Sequence, residues 1–334
     1  MAGRTRTVVS LRVKALLVGG VALLLAFWLL RAQGERSNQQ WLAEERLAEE
    51  RSAFAPTEVI EMGRLPAELH ESSGLSASQT YPGVFWTHND SGDEPQLYAI
   101  DDSASLLATV RVTGATARDW EALALGPCPA ASERSCLYVA DMGDNGSVRE
   151  SVAIYVVEEP DPFAGDGTVA LVGTVPFVYP DGPHDAEGLA ITSTGDLIVV
   201  TKERERSARL YDIPANDIAA AIVDGVMLTL APGLQLPIGP DPRAGRIATG
   251  AALSPAGNVL AVRTYSEIYR FRWPIDGAPE EVAEACFLGT GEPQGEAIAF
   301  RPGADDWMVL TSESHTDKPG FLQAVRCGDA TPSG

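Results

Sequence analysis

From about residue 57 onward the chain alternates apolar and polar positions with period two, in short runs broken by Gly, Pro, Asn and Asp. That pattern predicts strands and turns. One phrase recurs along it: Ser-Ser-Gly-Leu-Ser at 72–76, Trp-Glu-Ala-Leu-Ala at 120–124, Ala-Glu-Gly-Leu-Ala at 186–190, Thr-Gly-Ala-Ala-Leu at 249–253 and Gly-Glu-Ala-Ile-Ala at 295–299. Aligned on Ser73, Glu121, Glu187, Thr249 and Glu296, the copies start 48, 66, 62 and 47 residues apart. A strand-rich repeat of roughly 40–50 residues is the signature of a β-propeller.

Each copy continues alike. A second strand is expected at 84–87, 137–140, 197–201, 259–263 and 307–311, and a third at 96–100, 153–157, 209–213, 267–271 and 321–325. Fourth strands are expected at 106–112, 169–178, 226–236 and 281–288, but after the last copy the chain runs out. A strand at 59–65, ahead of the first copy, has no repeat of its own. Paired with the last blade it would close the ring and remove two sheet edges. The expectation is therefore an all-β, five-bladed β-propeller over 56–328, closed by an N-terminal strand and followed by a short disordered tail at 329–334. A sixth blade would have to hide in 216–249, which already owes a strand to the third.

The N-terminal region follows different rules. Residues 1–14 carry Arg4, Arg6, Arg12 and Lys14 and precede the apolar run 15–30. Basic before and acidic after is the positive-inside pattern, with the N-terminus in the cytoplasm and the rest outside. Segment 15–31 reads as a transmembrane anchor, or as a signal sequence that is cleaved to release the protein. Either route carries the body across the membrane, to the periplasm or the extracellular space. The echo Leu-Ala-Glu-Glu-Arg at 42–46 and 47–51 is rich in helix formers, so 32–55 reads as a helical stalk or linker.

Charge narrows the partners. The 334 residues carry a net −21, and beyond residue 31 there are 20 basic against 46 acidic side chains. Such a body repels phosphate backbones, which argues against nucleic acid and favours a cation. Four cysteines are too few to form a framework. Cys128 and Cys136 flank a short loop and are either bridged or two free thiols; Cys286 and Cys327 are a second candidate pair.

Three carboxylates crowded on one propeller axis repel unless protonated or bridged by a cation. With strict alternation, Glu121 shares a side with Leu123 and Leu125, as do Glu187 with Leu189 and Glu296 with Ile298, which puts each acid at a channel mouth. Oxygen ligands from Ser73, Glu121, Glu187, Thr249 and Glu296 suit Ca2+ better than magnesium. The competing reading pairs these acids with Arg118, Lys202 or Arg263. The second-strand exits and the approaches to the acids fall on the same face. They gather His88, Asp141, Asp144, Asn145, Lys202, Arg263 and His315 with Arg118, His184 and Asp185. No Gly-x-Ser-x-Gly elbow, Walker loop or His-Glu-x-x-His is present.

The order Ser, Glu, Glu, hydroxyl, Glu at the inner strands resembles the calcium-activated nucleotidases (apyrases), as do Asp-Trp-Glu-Ala-Leu-Ala at 119–124 and Gly-Glu-Ala-Ile-Ala-Phe at 295–300. That resemblance implies five blades and a calcium ion in the central tunnel. The phrase His-Asp-Ala-Glu-Gly-Leu at 184–189 also resembles bacterial esterase-like or phytase-like propellers. The chain departs from the nucleotidases in having no strongly cationic pocket for a di- or triphosphate. Two functions stand side by side. One is a tethered propeller that binds a small-molecule or protein ligand on its polar face. The other is a calcium-dependent hydrolase of phosphoester or lactone substrates, with His88, His184 or Asp185 as base and Arg118, Lys202 and Arg263 as anion contacts.

Overall fold

Second strands in this chain bury both faces, and that property sets the architecture. In Leu197–Thr201 all five residues are buried. Leu197 and Val199 pack into one apolar cluster, whereas Ile198 and Val200 pack into the next. Alternation thus feeds two interfaces, one on each side of a sheet, and leaves no polar face.

The computed structural model describes residues 57–129, 131–289, 294–315 and 319–328. The expected anchor, stalk and C-terminal tail lie outside them. Among the described residues no helix is long and apolar enough to cross a membrane. Among the described residues the fold is all-β with one short helix.

Strand β1 (Thr57–Arg64) comes first. A meander follows, with β2 (Ser72–Ala77), β3 (Val84–Asn89), β4 (Gln96–Asp101) and β5 (Leu106–Thr113). A second comprises β6 (Trp120–Cys128), β7 (Ala131–Asp141), β8 (Val152–Glu158) and β9 (Gly167–Val178). The third runs through β10 (Ala186–Ile191), β11 (Leu197–Thr201) and β12 (Arg209–Ile213) to helix α1 (Ala215–Asp224). Two short strands, β13 (Leu228–Thr229) and β14 (Leu234–Gln235), follow the helix. The fourth set is β15 (Ala248–Leu253), β16 (Val259–Thr264), β17 (Glu267–Arg272) and β18 (Cys286–Phe287). The last is β19 (Gly295–Phe300), β20 (Trp307–Ser312) and β21 (Phe321–Cys327).

β1 completes that last sheet by pairing antiparallel with β21, from Thr57 opposite Cys327 to Arg64 opposite Phe321. The outer strands β5 and β9 also pair, in parallel, and join the first two meanders into one sheet. The first strands of successive sets touch in the order β2, β6, β10, β15, β19 and back to β2. Among the described residues, apolar clusters fill each junction between neighbouring sets, including the one between the last and the first.

Two expected strands differ from the structure. The stretch 226–236 is not one strand. β13 leaves its own set to pair in parallel with β9, and only β14 pairs with β12. Ahead of it, Ala-Asn-Asp-Ile-Ala-Ala-Ala-Ile-Val-Asp forms α1. Alanine favours helix, Pro214 presets the entry, and Gly225 at φ 65° ends it in the left-handed region. Ile218 and Ala221 are buried, and Ile222 lies against Gly173 of β9, where a β-carbon would collide with it. Likewise 281–288 narrows to Cys286–Phe287 plus a single bridge from Glu281 to Phe271.

Both candidate cysteine pairs are disulfides. Cys128–Cys136, with Cα atoms 4.9 Å apart, pins the β6–β7 hairpin; Cys286–Cys327, at 5.6 Å, ties the fourth set to the last.

Candidate metal centre

The recurring acid or hydroxyl marks a β-bulge. Pairing between first and second strands slips between Ser72 and Gly74, Trp120 and Ala122, Ala186 and Gly188, Ala248 and Gly250, and Gly295 and Ile298. Ser73, Glu121, Glu187, Thr249 and Glu296 are thus residues without a partner on the second strand. A bulge bends its strand and re-aims one side chain. The strict alternation expected for Glu121 and Leu123 is therefore interrupted at the acid itself. All five bulge residues are buried.

Carboxylates converge here in two groups that share Glu121. Asp90, Asp119 and Glu121 each bring an oxygen within 4.8 Å of the others, and so do Glu121, Asp185 and Glu187. Asp90 stands just past the end of β3, while Asp119 and Asp185 immediately precede β6 and the repeat phrase of β10. Backbone groups fix them: Gly143 N–H donates to the Asp119 carbonyl (3.2 Å), Lys202 N–H to the Asp185 carbonyl (2.8 Å) and Asp144 N–H to Asp185 Oδ1 (2.8 Å). Ser73 Oγ donates to the Glu121 carbonyl at 3.0 Å and reaches its Oε2 at 3.3 Å.

Cationic partners are few. Lys202 pairs with Glu187 Oε1 and sits 5.5 Å from the Tyr265 ring centre. Burial opposes its charge, but Glu187 and Glu296 outweigh that and hold the ammonium protonated. Gln294 Nε2 donates to Glu296 Oε1 and Glu313 Oε1, both at 2.7 Å. Asp185 Oδ2, Glu187 Oε2 and Glu296 Oε2 are buried and no donor of the chain reaches them, while Glu187 and Glu296 lie close enough to share a proton. Burial of unpaired carboxylate oxygens is costly. Burial therefore favours the protonated forms of these groups. Burial pushes Glu121 well above the usual carboxylate range, and Asp90 adds to it; Glu187 rises through burial and then Glu121 and Glu296. Glu296, Asp119 and Asp185 rise for the same first reason.

The other sequence candidates divide. Thr249 Oγ1 donates to the Gly295 carbonyl (3.0 Å), tying β15 to β19. Arg263 is fully buried and donates to the carbonyls of Ala297 (2.7 Å) and Thr311 (2.8 Å). Arg118 is exposed, with its backbone N–H toward Asp141 Oδ2 at 3.4 Å. Asp141 pairs with Arg149 (2.8 Å), a buried cation the sequence reading missed, whose backbone N–H also caps Asp144 (2.7 Å). Asn145 accepts from Arg204 at 2.8 Å. These contacts order the 141–149 loop beside the cluster. His315 is exposed.

The histidines are held differently. His184 offers Nδ1 to Glu203 (2.8 Å) and Nε2 to Asp181 (3.0 Å), with Tyr211 OH 3.1 Å away. Glu203 first, then Asp181, raise its pKa against burial. With carboxylates on both ring nitrogens it has no free position for a proton. His88 is fully buried, faces the Asn89 carbonyl with Nδ1 (2.9 Å) and meets the Trp120 ring edge-on at 5.5 Å; burial lowers its pKa. Its ring occupies the space a β-carbon on Gly74 would need.

Asp90 and Asp119 were legible in the sequence only as a turn residue and an approach residue. Their convergence depends on contacts across sets that no local spacing encodes.

No protein-family model matches the chain, and no curated protein matches it. Solved structures do. The PQQ-bound aldose sugar dehydrogenase from Streptomyces coelicolor is 13% identical, covering 81% of this chain and 98% of its own, with a TM-score of 0.48. A luciferin-regenerating enzyme is 13% identical over 82% of this chain and 98% of its own, at 0.47. Regucalcin, a calcium-binding protein from Agrobacterium tumefaciens, is 12% identical over 80% and 96%, at 0.42. This chain's chemistry is therefore read from its own residues.

Proposed function

We propose that this protein is a five-bladed β-propeller, tethered outside the cytoplasm by residues 15–31, that holds calcium in its acidic mouth and binds a ligand or protein on the surrounding polar loops. Five sets of strands, a cyclic order of first strands and apolar packing at each junction support the blade count. The observation that carries the ion is the set of buried, unpartnered oxygens on Asp185, Glu187 and Glu296 beside Glu121. An all-oxygen, carboxylate-rich donor set suits a hard cation, and calcium tolerates irregular shells of 6–8 oxygens where magnesium demands near-ideal octahedra. Glu121, Asp185 and Glu187 would hold it with Glu296 beside them, and Asp90 and Asp119 form a second triad with Glu121 on the solvent side.

The test is thermal unfolding with calcium, with magnesium and with chelator, alongside Glu121→Gln. An ion bound only to the native state at 100 times its Kd adds about 2.7 kcal/mol. A calcium-specific rise lost in Glu121→Gln is expected. No rise in protein shown to be metal-free at the outset would overturn the ion.

A second reading, calcium-dependent hydrolysis of phosphoester or lactone substrates, is favoured by one observation. Asp90 and Asp119 are only partly buried, so the cluster has a solvent side. A bound calcium supplies Lewis-acid polarisation of a substrate oxygen. Of the candidate bases, Asp185 stands in the cluster, whereas His184 is engaged at both nitrogens. Turnover of an ester, lactone or phosphoester panel that disappears in Asp185→Asn would establish it. Calcium-loaded protein inert to the panel leaves the binding role.

A further inference from the structure

The channel has a second end, and its chemistry is the reverse of the first. A cavity of about 570 Å³ opens there, lined by all five first strands. Its lining begins at Leu75, Leu123, Leu189 and Ile298, each two residues beyond Ser73, Glu121, Glu187 or Glu296. Leu125, Ile191, Leu253 and Phe300 continue the wall one step further out. A strand advances about 3.3 Å per residue, so a step of two carries the wall some 7 Å from the carboxylates.

Charge is confined to the rim. Among the described residues that line it, only Glu133 and Arg134 are ionisable; Arg134 is exposed and paired with Glu158 at 3.0 Å. Ser76 and Ser193 supply uncharged hydroxyls around the opening, while the hydroxyls of Thr192 and Ser254 are engaged by Asp196 and Asn258. A charged ligand would lose its hydration with no counter-charge in the wall. A neutral molecule would meet a wall of mixed polarity, in which polar groups make up the larger share of the open surface and most of the apolar side chains are buried between the sheets. The volume lies within the roughly 300–1,000 Å³ of small-molecule sites.

We propose that this end of the channel is a separate ligand site for a small neutral molecule, held by hydrogen bonds and apolar contact with a nearly uncharged wall. It is independent of the ion and requires no chemistry at the acidic mouth.

The full chain is irradiated with a neutral medium-chain alcohol carrying a diazirine, and adducts are mapped by peptide mass spectrometry. Expected are saturable adducts on peptides containing Leu125 and Leu253. Labelling should fall about tenfold in Ser76→Trp, which fills the cavity, and in Leu253→Asp, which charges it. It should be unchanged in Glu121→Gln and with chelator. The matching carboxylic acid should label more weakly. Adducts confined to other peptides, or undiminished in a folded Ser76→Trp, would overturn the site, and wild-type mapping decides the matter even if both variants misfold. Equal or stronger labelling by the acid would overturn the neutral class.

Discussion

Gly143 and Glu121 share one small volume. A β-carbon on Gly143 would collide with Glu121 Oε1 and lie 2.6 Å from the Asp119 carboxyl carbon. The glycine lies outside the left-handed region, so its service is the space it leaves. That space lets two carboxylates from one approach segment meet across the 141–149 loop.

Gly143→Ala should therefore fold but displace both carboxylates. Calcium affinity by calorimetry should fall at least about tenfold, a loss of some 1.4 kcal/mol, with the chelated protein's unfolding temperature little changed. Unaltered affinity would show that these oxygens are not ligands.

Proton linkage offers an independent view. Burial and Glu296 push Glu313 up to about 8; burial, opposed by the Ser91 N–H and reinforced by Asp119, pushes Asp90 up to about 6. A carboxyl whose folded pKa is raised binds its proton more tightly in the native state. Its contribution is complete below the unfolded value and is lost as pH rises through the folded one. Chelated protein should thus lose stability between about pH 4 and 8, and calcium should flatten that slope by replacing protons. A chelated protein whose stability climbs over this window would contradict the buried-carboxylate account.

His184 is a test of position against chemistry. Its imidazolium is clamped between Glu203 and Asp181. The raised pKa means its stabilisation is present below about 6.5 and fades as pH rises through the folded value. His184→Gln should cost about 2–4 kcal/mol at pH 6 in denaturant unfolding, and leave calcium affinity intact. Full stability with lost ligand turnover would restore it as a catalytic base.

The disulfides should differ in weight. Cys128 and Cys136 are 8 residues apart, Cys286 and Cys327 41. Loop-closure entropy gives about 2.5 kcal/mol for the first and about 4 kcal/mol for the second. Double alanine replacement of the second pair should lower the unfolding temperature more, since it also releases the tie between the fourth and last sets. The opposite order would sink the loop-length account.

Much of this molecule is local. The recurring phrase and the β-branched, apolar runs after it placed the second and third strands to within a residue or two at most ends; second strands read as nearly continuous apolar runs because both their faces are buried. The unpaired strand at the N-terminus and the missing one at the C-terminus implied each other, since exposed edges are unfavourable. The helix at 215–224 was missed: it answers to alanine-rich propensity and to packing on β9, not to the repeat.

The candidate site was half legible. Glu121, Glu187 and Glu296 stood out because each opens a repeat. Sequence could not show that each is a bulge residue, as a bulge is a relation between two strands. Nor could it show that Asp90, Asp119 and Asp185 join them, that Arg263 serves backbone carbonyls, or that His184 is held at both nitrogens. Sequence by itself determined most of the strands and the acidity, both carried by neighbours along the chain. Tertiary structure alone decided which carboxylates meet, because that depends on the closure of the ring, where residues tens of positions apart become neighbours.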